Sequence, residues 1–264
     1  MMDRAQAYGD GLFETMRVSG GRLLHPEEHY FRLLAGMRIL RMPIPSHWSP
    51  QGWLRDLGIA DLDPRVDYRL RLQVTRRGPL GYAPPQDAAV AWEVDLQPLD
   101  HVGYPLPVLR PELGLFQEHR KSAGLLGNVK SSNALLYVLA AGFAREQHVD
   151  DVLILNPENQ VLEASRSNVM LVQDSELWTP PLESGALRGV MREVVLRLAP
   201  QMGLSVREEL FSPFALQHAE EVWLTNSIHG VAAVRQFRKT SYGSTAAERM
   251  QQLVQAESEI AQFQ

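Results

Sequence analysis

A run of prolines divides this chain. Pro98, Pro105, Pro107 and Pro111 fall close together, with Gly103 among them. Proline fixes φ and has no backbone N–H to donate, so the segment can be neither a helix interior nor a central strand. It reads as a linker over 105–112, joining a smaller N-terminal domain, 1–104, to a larger C-terminal domain, 113–264. A chain of 264 residues is long enough to bury two modest cores.

The hydrophobic periodicity on each side of the linker mixes strands and helices. Gly11–Val18 reads as a strand that ends at the turn Ser19-Gly20-Gly21. His25–Leu40 has Phe31, Leu34, Met37 and Leu40 near helical spacing and Pro26 in a first turn, which predicts an amphipathic helix. Trp48–Leu57 reads as a second, short helix. Asp67–Thr75 alternates Tyr68, Leu70, Leu72 and Val74 with polar residues, the pattern of a half-buried strand, and Ala88–Leu96 follows as another. Beyond the linker, helices are expected over Ser132–Gln147, Val190–Leu198 and Ala246–Ala261. Strands are expected over Asp151–Leu155, Asn168–Val172, Leu177–Thr179, Glu221–Thr225 and Val231–Val234. No regular βαβ alternation is present, so the class is α+β rather than doubly wound.

Composition excludes several kinds of chemistry. There are no cysteines, which removes thiolate catalysis, disulfides and Cys-based zinc sites. A net charge of −5 argues against a nucleic-acid partner. No apolar run approaches the roughly 20 residues of a membrane span. The first twenty residues carry Asp3, Arg4, Asp10, Glu14 and Arg17, unlike a signal peptide, so a cytoplasmic protein without membrane partners is expected. The eight histidines show no metal-ligand spacing, and no metal site is expected.

Almost all the positive charge is arginine; lysine occurs only at Lys121, Lys130 and Lys239. A lysine that loses its proton in a desolvated site can form a Schiff base, whereas arginine stays protonated. A codon bias toward arginine accounts for the scarcity of lysine but not for which lysines remain. Lys130 lies in Gly127-Asn128-Val129-Lys130-Ser131-Ser132-Asn133, directly before an apolar helix.

Five blocks around this lysine resemble, in order, those of the class IV aminotransferases, the fold-type IV enzymes that use pyridoxal 5'-phosphate (PLP). They are Tyr8-Gly9-Asp10-Gly11-Leu12-Phe13-Glu14-Thr15-Met16-Arg17-Val18, the lysine segment, Val161-Leu162-Glu163-Ala164-Ser165-Arg166-Ser167-Asn168, Gly185-Ala186-Leu187-Arg188-Gly189-Val190-Met191-Arg192, and Leu224-Thr225-Asn226-Ser227. The resemblance implies a two-domain fold with a β-barrel-like C-terminal domain bearing helices, and a homodimer acting on a small-molecule substrate. It implies that Lys130 forms the Schiff base and moves protons, and that Glu163 holds the pyridine nitrogen protonated. Leu187 would pack on the ring. Arg32 would bind the phosphate, with backbone N–H groups of Val190 and Met191 and donors from Asn226 and Ser227. Many relatives have Thr where this chain has Met191, so only a backbone donor is expected there.

Two reactions stay open. The first, second-last and last blocks look most like 4-amino-4-deoxychorismate lyase, which eliminates pyruvate to leave 4-aminobenzoate, a folate precursor. Thr15 matches that subgroup's active-site threonine. The alternative is an aminotransferase for D-amino or branched-chain amino acids, although loop 76–85 lacks the Arg-x-His pair and the Gly-rich loop of those enzymes. Tyr8 and Arg77 are candidate substrate contacts, and Arg76 is read as solvated or as a carboxylate contact. The family carries a further strand pair ahead of the Asp3-Arg4 segment, so a start at Met1-Met2 suggests a displaced start or a missing edge hairpin.

Overall fold

The computed structural model describes residues 3–86 and 88–260, without the side chains of 259 and 260. The expectations attached to Met1-Met2 and to Ala261 lie outside the described residues. The chain forms two compact units: one runs to Gly103 and takes in Val129–Ala134, and the other comprises Tyr104–Asn128 and the chain from Leu135 onward.

In the N-terminal unit, helix α1 (Arg4–Tyr8) starts at a capping box, where the Asp3 carboxylate accepts from the Gln6 N–H at 2.7 Å. It stops at Gly9, whose φ of 68° is the left-handed conformation that glycine adopts without steric cost. Strands β1 (Gly11–Ser19) and β2 (Arg22–Leu23) form a hairpin. Helix α2 (Pro26–Ile39) follows, and strands β3 (Tyr68–Arg76) and β4 (Val90–Pro98) complete an antiparallel sheet in the order β2-β1-β3-β4. Alternation along β1 and β3 turns Leu12, Met16, Leu70, Leu72 and Val74 into a core with Leu33, Leu34, Met37 and Trp53. The opposite face carries Phe13, Thr15, Arg71 and Gln73, with Phe13 opposite Gln73 and Thr15 opposite Arg71 in the ladder. Only Trp53–Leu57 of the expected Trp48–Leu57 helix is helical, and it is a short 3-10 turn.

Val129–Ala134 is pinned along the start of β1. The Phe13 N–H donates to the Lys130 carbonyl at 3.0 Å, the Ser132 N–H donates to Gly11 at 2.9 Å, and Leu12 bridges Ser131. These backbone groups are spent on the sheet, so the helix expected from Ser132 begins only at Leu135.

The C-terminal unit contains β5 (Glu112–Leu115), α3 (Leu135–Glu146), β6 (Asp151–Leu155), β7 (Val161–Ala164), β8 (Asn168–Gln173), β9 (Glu176–Thr179), α4 (Val190–Leu198), β10 (Ser205–Glu208), β11 (Glu221–Asn226), β12 (Gly230–Ala233), β13 (Gln236–Phe237), β14 (Thr240–Ser241) and α5 (Thr245–Ile260). Its sheet runs β10-β9-β8-β7-β6-β5-β13-β14, with β11 branching from β8 and β12 pairing with β11. Leu153, Leu155, Val161, Val169, Leu171, Val222 and Leu224 fill one side. Strands β5, β7 and β10 are not among those expected from the sequence; each has four residues, too few to establish a period, and β7 is buried throughout rather than alternating. Among the described residues, no helix is long and apolar enough to cross a membrane.

Candidate active site

Lys130 emerges from the segment paired with β1, and its Nζ lies 4.2 Å from the centroid of the Phe13 ring. The Arg71 guanidinium carbon lies 3.9 Å from the same centroid, so one aromatic ring serves two cations through its π face. Gln73 fastens the lysine segment to the sheet: its Nε2 donates to Ser132 Oγ at 2.6 Å and to the Leu12 carbonyl at 3.1 Å. Arg71 also donates to Gln73 Oε1 at 3.3 Å. Burial and the neighbouring Arg69 charge hold the Arg71 guanidinium below its usual value, with Asp95 opposing them in part. A half-buried face bearing Thr15, Arg71 and Lys130 suits an anionic substrate. Arg71 was not a sequence candidate; its position opposite Thr15 in a paired strand is the signal that identifies it.

Arg32 sits on α2 beside the buried Glu14 of β1. Its Nε donates to Glu14 Oε1 at 2.8 Å and its Nη2 to Glu14 Oε2. His29 Nδ1 donates to Oε2 at 2.7 Å. Burial by itself would raise the Glu14 carboxyl, but the charge and hydrogen bonds of Arg32, helped by His29, bring it down to about 2. Burial lowers His29 despite Glu14, so the imidazole is neutral at pH 7. Its Nε2, which has no partner among the described residues, is then an acceptor rather than an orphaned donor. Glu14 thus fixes the plane of the Arg32 guanidinium.

The other arginine and tyrosine candidates fall elsewhere in this unit. Arg76 is buried, not solvated. Its Nε binds Asp10 at 2.9 Å and its Nη atoms donate to the carbonyls of Arg41 and Leu40, so it is consumed by the fold. Arg4 joins it on Asp10 at 2.8 Å and ties down the carbonyls of Pro79 and Gly81. The Tyr8 hydroxyl accepts from the Gly81 N–H at 2.8 Å, which places it at that loop, and Arg77 is exposed.

In the C-terminal unit, Glu163 lies in β7 and is 2% exposed. Three donors meet it. Lys121 Nζ reaches Oε1 at 2.6 Å, the Tyr137 hydroxyl donates to Oε1 at 2.7 Å, and the Leu187 N–H donates to Oε2 at 2.8 Å. Burial and the Glu163 charge push the Tyr137 phenol upward, so it stays a donor. Neither Lys121 nor Tyr137 was a sequence candidate for this site. The loop that carries Lys121 is held against 182–187 by Asn128, whose Nδ2 donates to Leu182 and Ala186 at 2.7 and 2.6 Å. The contact also needs glycine: a Cβ on Gly127 would stand 2.9 Å from Gly185 Cα.

Leu187 is half-buried and opens the turn into α4. No side chain caps that helix at Gly189, which leaves the N–H groups of Val190 and Met191 at the positive end of the helix dipole. Gly189 packs so closely on Asn168 that a Cβ would fall 1.8 Å from Asn168 Oδ1. Asn168 Nδ2 in turn donates to the Leu187 carbonyl at 2.8 Å. The Asn226 side chain is spent on its own turn: Oδ1 accepts from the N–H groups of Ile228 and His229, and Nδ2 donates to Ser167 Oγ at 3.0 Å. Ser227 is half-buried beside it. The neighbouring Thr225 hydroxyl is buried with no partner among the described residues.

The family profile "Amino-transferase class IV" matches residues 11–237. The chain is 29% identical to an aminodeoxychorismate lyase of Vibrio harveyi over 238 residues, 88% of this chain and 84% of that protein. It is 28% identical to a D-alanine aminotransferase of Listeria innocua over 234 residues, 85% of this chain and 77% of that protein. The crystal structure of 4-amino-4-deoxychorismate lyase from Pseudomonas aeruginosa superposes with a TM-score of 0.80 at 31% identity, covering 95% of this chain and 91% of that one. A profile spanning most of the sequence, carried on a fold-type IV architecture, leaves one conclusion: the chain belongs to the class IV aminotransferases, a family of PLP-dependent enzymes.

Proposed function

We propose that this enzyme binds PLP and eliminates pyruvate from 4-amino-4-deoxychorismate, leaving 4-aminobenzoate for folate synthesis. The donor set fits the cofactor. A carboxylate offers about four acceptor sites; three of those on Glu163 are filled by described residues, which leaves one on Oε2 for a ring N–H. The uncapped start of α4 and the oriented Arg32 fork suit a phosphate dianion. PLP supplies an electron sink that makes the substrate's carbon–hydrogen bond acidic.

Each residue then has a physical task. Lys130 attaches the cofactor covalently through Nζ, and the freed amine takes and returns the proton at that atom. Glu163 keeps a positive charge on the ring nitrogen. Arg32 and the N–H groups of Val190 and Met191 bind the phosphate, while Asn226 and Ser227 shape the turn that faces it. Leu187 packs on the ring and excludes water. Thr15 assists proton movement near the departing enolpyruvyl group. Arg71 binds a substrate carboxylate, with Tyr8 and Arg77 at the loop that admits it.

The observation that carries the lyase reading is the shared face of Lys130, Thr15 and Arg71 around Phe13, which sets a carboxylate-binding cation and a hydroxyl beside the lysine. The similarity to two lyases supports it. The second reading is an aminotransferase for D-amino or branched-chain amino acids, favoured by the 28% identity to the Listeria enzyme. Purified enzyme given aminodeoxychorismate and PLP, without any keto acid, separates them. Pyruvate and 4-aminobenzoate released in equal amounts support the lyase. Turnover only with an amino donor and a keto acceptor assigns the aminotransferase.

We also propose a homodimer. Leu135, Val138 and Leu139 lie at i, i+3 and i+4 on α3 and are exposed by 65, 63 and 49%, an apolar stripe suited to a second copy.

A further inference from the structure

We infer that Lys121 is a positioning residue for Glu163: its ammonium and the Tyr137 hydroxyl saturate Oε1, leaving Oε2 to receive the protonated ring nitrogen of the cofactor. This rests on the proposed role of Glu163 and adds two residues to it.

A lysine on a loop is ordinarily solvated, but Lys121 is only 9% exposed. Its Nζ lies 5.5 Å from the Tyr137 ring centroid. Its backbone is fixed as well, because the Lys121 N–H donates to the Leu155 carbonyl at 2.9 Å at the end of β6. Glu163 pairs with Ile154, the neighbouring residue of that strand. Lysine and carboxylate are therefore brought together by adjacent backbone positions rather than by a chance approach of two long side chains.

The arrangement has two consequences. A buried carboxylate with no counter-charge is costly, and Lys121 supplies that counter-charge independently of the cofactor. Once a protonated ring nitrogen binds Oε2, two cations share one carboxylate and repel each other. Lys121 therefore makes every proton on the bound cofactor easier to lose.

The test is a pH titration of the visible absorption band of enzyme loaded with PLP. Removing the ammonium in Lys121→Met takes a positive charge from the ring, so the midpoint rises, by about one pH unit. Lys121→Arg restores the charge and returns the midpoint close to that of the wild type. Lys239→Met, at an exposed position, leaves it unmoved. If Lys121→Met does not fold, Tyr137→Phe removes the other donor to Oε1 and shifts the midpoint in the same direction by less. An unchanged midpoint in a folded Lys121→Met or in Tyr137→Phe overturns the proposal, as does an equal shift in Lys121→Met and Lys121→Arg. Wild-type protein that takes up no PLP would instead overturn the cofactor assignment itself, and this inference with it.

Discussion

Glu14 illustrates how much one buried carboxylate can carry. Its carboxyl drops from 4.5 to about 2 in the fold, so its contribution is fully present above 4.5 and is lost as pH falls toward 2. The shift corresponds to roughly 3 kcal/mol. His29 is also depressed, so it too favours the fold above 6.5 and opposes it as pH falls below. Stability measured by urea unfolding should therefore decline from about pH 6.5 downward, most steeply below 4.5. Glu14→Gln should be less stable at pH 7 and flatter in acid; a variant with the same acid profile as the wild type would contradict this account. Glu163→Gln keeps the shape of the side chain but removes the charge. Cofactor affinity should fall about 10- to 100-fold by equilibrium titration, the usual weight of a hydrogen bond to a charged group.

At the scale of elements, the connection from β9 into α4 is the tightest fit in the candidate site. Gly189→Ala would force a methyl group into Asn168, and a stability loss of about 1–3 kcal/mol is expected in denaturant unfolding. Weaker binding of PLP should accompany it, because the same turn presents the N–H groups of Val190 and Met191. Elements of this length also show what a sequence can and cannot reveal. The alternation in Asp67–Thr75 and the apolar period of α2 identify β3 and α2, since both run for several repeats. Strand β7 has four residues, all buried, and its Glu163 reads as an interruption; only the family motif singles it out. Lys121 and Tyr137 belong to no motif. They meet Glu163 across 42 and 26 positions of chain, a contact made by packing alone. Arg71 becomes visible only through the register of β1 with β3. The scarcity of lysine was the one hint at Lys121, whose Nζ turns out to be held on Glu163.

For the molecule as a whole, one unit runs to Gly103 and takes back Val129–Ala134, a return that the proline run does not reveal. That return is set by hydrogen bonds to β1, which no local pattern encodes. The exposed stripe on α3 predicts a concentration-dependent mass in solution. Val138→Asp should shift the protein toward monomer in light scattering, and an unchanged mass would count against the proposed interface.

The central claim is that Lys130 carries the cofactor. Borohydride reduction of the PLP-loaded enzyme, followed by peptide mass mapping, fixes the label to one lysine. The account predicts a pyridoxyl group on the peptide containing Lys130, with Lys121 and Lys239 unlabelled. Label on either of those two, with Lys130 bare, would contradict it.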